Sequence, residues 1–111
     1  MKFEKLVDFD DVVTCLPIVE EVLQGFRHEP AFQIARDAMH ALPIVESPLR
    51  RVLFDDAVDL YRRARRAGFT IRSGVDCVIA ACAIRNGLAV LHRDRDFDVL
   101  GRVSPLESRT V

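Results

Sequence analysis

Val75-Asp76-Cys77-Val78-Ile79-Ala80-Ala81-Cys82-Ala83-Ile84-Arg85-Asn86-Gly87-Leu88-Ala89-Val90-Leu91-His92-Arg93-Asp94-Arg95-Asp96-Phe97 decides the fold. Its first half is apolar on nearly every side, with one carboxylate in the opening turn. That is the composition of a buried helix rather than one lying on a surface. Gly87 is a natural stop, since helices commonly end on a left-handed residue that glycine adopts without a Cβ clash. Residues 88–91 then read as a short apolar strand of the kind covered on both faces in a parallel sheet. Asp94 and Asp96 stand just beyond its C-terminal end. Acids at a helix start and at a strand end, on a buried α/β unit, build a shallow metal site, and metal-assisted phosphodiester chemistry is the leading idea.

Working upstream, Leu49, Leu53, Ala57, Leu60 and Ala64 recur at helical spacing and predict a helix over 49–66, with Gly68 as its stop. Its other face carries Arg51, Asp55, Asp59, Arg62 and Arg63, with i,i+4 pairs Arg51–Asp55 and Asp59–Arg63. Phe69-Thr70-Ile71 reads as a short extended piece. Val12, Val13 and Thr14 are β-branched or strand-favouring and predict a short strand. Pro17 suits a first helical position, opening a helix over 18–26, and Pro30 opens another through about residue 42. Residues 43–48 read as a connection carrying the apolar pair Ile44-Val45, and residues 2–9 as the tail of a helix. Downstream, 94–100 predicts a short helix and 103–106 a last edge strand, where Pro105 is tolerated. Helices alternating with short apolar strands predict an α/β sandwich with a parallel sheet, whose ligands sit beyond the carboxyl ends of the strands.

Composition bounds the function. A chain of 111 residues, half apolar and 30% charged, predicts one ordinary globular domain rather than a disordered segment. A net charge of −1 supplies no global field for nucleic acid. Lys2 and Lys5 are the only lysines, so nearly every cation is an arginine, which suits phosphate recognition but also follows from codon bias alone. Cys15, Cys77 and Cys82 are odd in number and lie in apolar surroundings, which predicts reduced thiols and a cytoplasmic protein. The start of the chain resembles no signal peptide, and the longest apolar region is broken by Asp76, Arg85 and Asn86, which argues against a membrane span.

Each carboxylate has a structural reading beside the functional one. Ser73-Gly74-Val75-Asp76 fits a capping box in which Ser73 caps the helix and Asp76 reaches back. That role is compatible with a metal ligand, because the helix N-terminus keeps Asp76 ionised and fixed. Asp94 and Asp96 fit a solvated turn with local Asp–Arg pairs, which alone would be the better reading; their place directly after a buried strand, where loops commonly carry function, weakens it. Glu20 and Glu21 flank the apolar arc of their helix on opposite borders, so periodicity does not choose between them. His28, His40 and His92 are lone histidines and read as surface or core-edge residues. Cys77 and Cys82 read as small apolar groups.

The Val75–Ala81 run, Asn86-Gly87, the strand and His92-Arg93-Asp94-Arg95-Asp96-Phe97 resemble the C-terminal half of a PIN domain, and more closely the VapC toxins of bacterial toxin–antitoxin pairs. Val12-Val13-Thr14-Cys15-Leu16-Pro17-Ile18-Val19-Glu20-Glu21-Val22-Leu23-Gln24-Gly25 resembles the family's strand–helix unit, and its pattern selects Glu21 in Glu-Val-Leu-Gln-Gly. The resemblance covers residues from about 10 to 106. It implies a PIN-like α/β/α sandwich with a short mostly parallel sheet, and a Mg2+- or Mn2+-dependent endoribonuclease. Carried over residue by residue, Glu21, Asp76 and Asp94 match three of the family's usual four metal-holding, catalytic acids, with Asp96 a close second to Asp94 for the last position. Arg72, Arg93 and Arg95 are the candidates for RNA phosphates, and Arg72 and Ser73 also steady the site. The resemblance further implies a cognate antitoxin as partner, a homodimer, and no membrane association.

The family's opening apolar strand, which ends in an Asp, has no match here. Residues 1–111 are therefore expected to form a single PIN-like domain, N-terminally truncated by the loss of its first strand. The isolated chain is expected to be weakly stable or dimer-dependent, with impaired activity. The alternative is a catalytically impaired PIN-like module that binds an antitoxin without cleaving RNA. An α/β phosphoacceptor domain using Asp94 is disfavoured, because the last third of the chain carries no lysine.

Overall fold

The computed structural model describes residues 11–111, which divide into two units between Pro48 and Leu49. The helix tail expected over 2–9 lies outside the described residues.

In the N-terminal unit, strand β1 (Thr14–Cys15) runs into helix α1 (Leu16–Leu23), followed by α2 (Glu29–Ala41) and β2 (Ile44–Val45). Pro17 and Pro30 both stand in a first helical turn, where the missing N–H costs nothing and the fixed φ is already helical. α1 stops earlier than residue 26. Its end loosens into turns, with the Gly25 amide donating to Val22 at 3.3 Å and the Phe26 amide to Leu23 at 3.3 Å. Ile44-Val45, expected as part of a connection, instead pairs in parallel with β1 in the register Thr14↔Ile44 and Cys15↔Val45. A two-residue ladder formed across 30 positions leaves no local periodicity to read. The buried residues of this unit are Thr14, Cys15 and Val19 among those described. α2 buries none, and its surface is held by short-range contacts such as Gln33 to Glu29 at 2.8 Å.

The C-terminal unit holds α3 (Arg51–Arg66), α4 (Gly74–Arg85), β3 (Ala89–His92), α5 (Arg95–Val103) and β4 (Glu107–Thr110). Leu53, Ala57, Leu60 and Ala64 are the buried stripe of α3, as their spacing predicts, and Asp59 pairs with Arg63 at 2.8 Å on the outer face. Both glycine stops behave alike. Gly68 at φ 87° and Gly87 at φ 64° each follow a helix in the left-handed region. The amide after each glycine reaches back, Phe69 to Ala64 and Leu88 to Ala83, both at 2.9 Å. That bond closes the helix end and satisfies an otherwise orphaned carbonyl. α4 buries Asp76, Cys77, Ile79, Ala80, Ala81, Cys82 and Ala83, so it is covered on most sides. Its small side chains let its neighbours approach closely.

β3 and β4 pair in parallel from Ala89↔Glu107 to His92↔Thr110, with α5 as the crossover between them. The last strand therefore lies at 107–110 rather than 103–106. Val103 ends α5, and Ser104 turns the chain by donating from its hydroxyl to Leu100 at 2.6 Å and accepting from the Leu106 amide at 3.3 Å. Pro105 sits in that turn. Glu107-Ser108-Arg109-Thr110 is mostly exposed, so the strand carries no apolar signal. The expected short parallel sheet is, among the described residues, two two-stranded parallel ladders, one in each unit. No described helix is long and apolar enough to cross a membrane.

Candidate metal centre

Alternation along β3 buries Val90 and His92. The chain leaves the strand at His92 and enters α5 with Asp94 as its N-cap, the Asp94 carboxylate accepting from the Asp96 amide at 2.9 Å. That bond satisfies one of the orphan donors at the helix start. It also turns Asp96 inward, where its side chain is 0% exposed. Asp96 Oδ2 accepts from the backbone amides of Arg72 at 2.9 Å and Ser73 at 3.2 Å, so one carboxylate ties α5 to the entry of α4. Asp96 Oδ1 is also buried and has no hydrogen-bond partner.

Asp76 stands in the first turn of α4, 6% exposed. Ser73 is the N-cap of that helix, but its side chain makes no capping bond. The expected capping box is thus not closed by the Ser73 hydroxyl, and the Ser73 amide donates to Asp96 instead. One oxygen from each of Asp76, Asp94 and Asp96 lies within 4.8 Å of the others. Two helix N-termini, those of α4 and α5, contribute favourable dipoles to this convergence of like charges. Hard carboxylate oxygens with one buried oxygen lacking a donor are a fitting set for a hard divalent cation.

Cys77 lies beside this cluster and is buried. Burial, aided by the Asp76 and Asp96 carboxylates, pushes its thiol from 9.0 up to about 11. Because the folded pKa is raised, the neutral thiol is favoured in the fold. Its stabilising contribution is present below pH 9.0 and is lost as pH rises toward about 11. The stability difference between the parent and Cys77→Ala, read from urea midpoints, is expected to shrink by on the order of 2 kcal/mol across that window. A pH-independent difference would refute the assignment. Cys15, Cys77 and Cys82 are all buried and carry no disulfide, as expected.

Of the residues singled out from sequence, Asp76, Asp94 and Asp96 come together. Glu21 lies on α1 in the N-terminal unit and is exposed. Arg72, Arg93 and Arg95 are exposed, and Arg93 Nε donates to the Val111 carbonyl at 3.0 Å. His92 reads from sequence only as a surface or core-edge histidine. It is buried at 7% exposure, with Nδ1 accepting from the Asp94 amide at 3.2 Å. Its place two residues after the buried Val90 was the available signal.

The PIN domain family model matches residues 1–103. A VapC ribonuclease of Mycobacterium bovis is 39% identical over 103 residues, covering 87% of this chain and 72% of that protein. The ribonuclease VapC11 of Mycobacterium tuberculosis matches with the same identity and coverage. The chain therefore belongs to the PIN-domain family, with VapC ribonucleases among its relatives. A solved structure, that of FitAB bound to an IR36 DNA fragment, superposes with a TM-score of 0.69 over 98% of this chain and 79% of that one. At 16% identity it shares the fold, which is the expected PIN-like α/β architecture.

Proposed function

We propose that this chain is a VapC-type toxin, an endoribonuclease that hydrolyses RNA phosphodiesters with Mg2+ or Mn2+. The observation that carries this function is the cluster of Asp76, Asp94 and Asp96 oxygens within 4.8 Å of one another, in a chain 39% identical to proteins named ribonucleases. Asp76, Asp94 and Asp96 would hold the ion, and Glu21 matches a further acid of the family pattern. A bound divalent ion supplies a water of lowered pKa and charge stabilisation at the phosphate.

The chain's own residues prepare the site. The Arg72 and Ser73 amides fix Asp96 in one orientation through Oδ2, leaving the buried Oδ1 without a hydrogen-bond partner. Asp94 is fixed by its capping bond. Arg72, Arg93 and Arg95 flank the acids in sequence and offer exposed guanidinium groups for RNA phosphates. The functional context is one PIN-like domain in the cytoplasm, held in check by a cognate antitoxin and acting as a homodimer.

The test is direct. Purified chain is incubated with a panel of single-stranded and structured RNAs, in Mg2+ or Mn2+ and in EDTA, beside Asp96→Asn. Discrete cleavage that disappears in EDTA and in the variant is the expected result. Cleavage that persists in EDTA, or an inert parent in both metals, would overturn the proposal.

A further inference from the structure

We propose that His92 is a positioning residue for the acidic cluster: its ring holds the Asp94 backbone so that the Asp94 carboxylate is fixed both as a helix cap and as a ligand. The inference deepens the metal-centre proposal and rests on it where it concerns ion binding.

His92 is the last residue of β3, and its carbonyl accepts from the Val111 amide at 3.0 Å, which anchors its backbone to the strand pair. Its ring lies against Phe97, with centroids 5.2 Å apart and planes at 48°. Nδ1 accepts from the Asp94 amide at 3.2 Å, which puts the ring hydrogen on Nε2; that nitrogen is buried without a hydrogen-bond partner, with Asp98 Oδ1 3.6 Å away. Asp94 Oδ1 in turn accepts from the Asp96 amide, and Asp96 Oδ2 accepts from the Arg72 and Ser73 amides. Each acceptor side chain therefore fixes the backbone of the next acid: His92 holds Asp94, Asp94 holds Asp96, and Asp96 holds the entry of α4.

The residue type matters. A carboxylate at position 92 could accept the same bond but would add a further negative charge beside Asp94 and Asp98. Neutral imidazole supplies the acceptor without the charge. An asparagine carries an oxygen one bond beyond Cγ, where Nδ1 stands, and can accept the same bond. Glutamine places its oxygen one atom further out, nearer the Nε2 position, and cannot reproduce it. Asn and Gln both remove the aromatic contact with Phe97, so a purely packing role would be damaged by both.

Three readouts decide it on the full chain. In metal-free parent, imidazole nitrogen-15 shifts are expected to show a hydrogen on Nε2 and none on Nδ1; the opposite tautomer overturns the proposal with no variant needed. Amide exchange without metal is expected to stay slow at Asp94 and Asp96 in His92→Asn and to become fast in His92→Gln. Mn2+ titration followed by electron paramagnetic resonance is expected to give near-parent affinity for Asn and a loss of about tenfold or more for Gln, as for other residues that orient metal ligands. Equal behaviour of the two variants in exchange and in Mn2+ affinity would leave only packing, and overturns the role. If the parent binds no Mn2+, the metal-centre proposal fails, while the tautomer and exchange results still decide whether His92 positions Asp94.

Discussion

Asp96→Ala is expected to destabilise the metal-free chain by about 3–5 kcal/mol, read from urea unfolding in EDTA. The side chain is fully buried and accepts two backbone amides, from Arg72 and Ser73. Truncation leaves both donors without a partner and opens a void between the start of α5 and the entry of α4. Hydrogen bonds to a charged acceptor contribute roughly 1.5–3 kcal/mol each, so two of them set the scale. Asp96→Asn separates structure from charge. Its side-chain carbonyl can accept both amides, while one of three converging negative charges is removed. That variant is expected to match or exceed the parent in stability without metal, and to bind Mn2+ poorly. A mild effect of Ala, comparable with a surface substitution, would mean that the two amides find other partners and that Asp96 does not hold the two helices together.

The second large effect concerns the ion. Calorimetric titration with Mn2+ is expected to show binding by the parent and a loss on the order of a hundredfold in Asp76→Asn, since removing one partner from a buried charge interaction costs about 3 kcal/mol or more. Asp76 is buried in the first turn of α4 within reach of Asp94 and Asp96, so its replacement by an amide removes a ligand while changing little in shape. Unchanged Mn2+ affinity in the variant would place the ion elsewhere or show that Asp76 serves only its helix. No binding by the parent would remove the metal from the account altogether.

Much of the C-terminal unit was legible because its signals are local. The α3 stripe is a 3.6-residue period, the α4 run is apolar between Asp76 and Arg85, and Gly68 and Gly87 mark both helix ends. Asp94 and Asp96 were found by their place after a buried strand. What escaped was non-local or unpatterned. Ile44 and Val45 become a strand only by meeting Thr14 and Cys15. β4 is an exposed edge of Glu, Ser, Arg and Thr, and an edge strand needs backbone partners more than apolar side chains. The bond from Asp96 to the amides of Arg72 and Ser73 spans 23 to 24 positions, so no local motif announces it, and Ser73 was read as a cap because the local pattern fits one. Glu21 came from family pattern alone, since Glu20 and Glu21 are both exposed on α1.

The uneven burial of the two units has a kinetic side. α4 is enclosed along most of its length, whereas α1 buries only Val19 and α2 buries nothing. Elements with so few buried contacts open at a small fraction of the global free energy, many times before the whole chain unfolds. Proteases attack such transient openings. Among the described residues, the helix that carries Glu21 is thus expected to be cut in limited proteolysis before the helices that carry the three clustered aspartates.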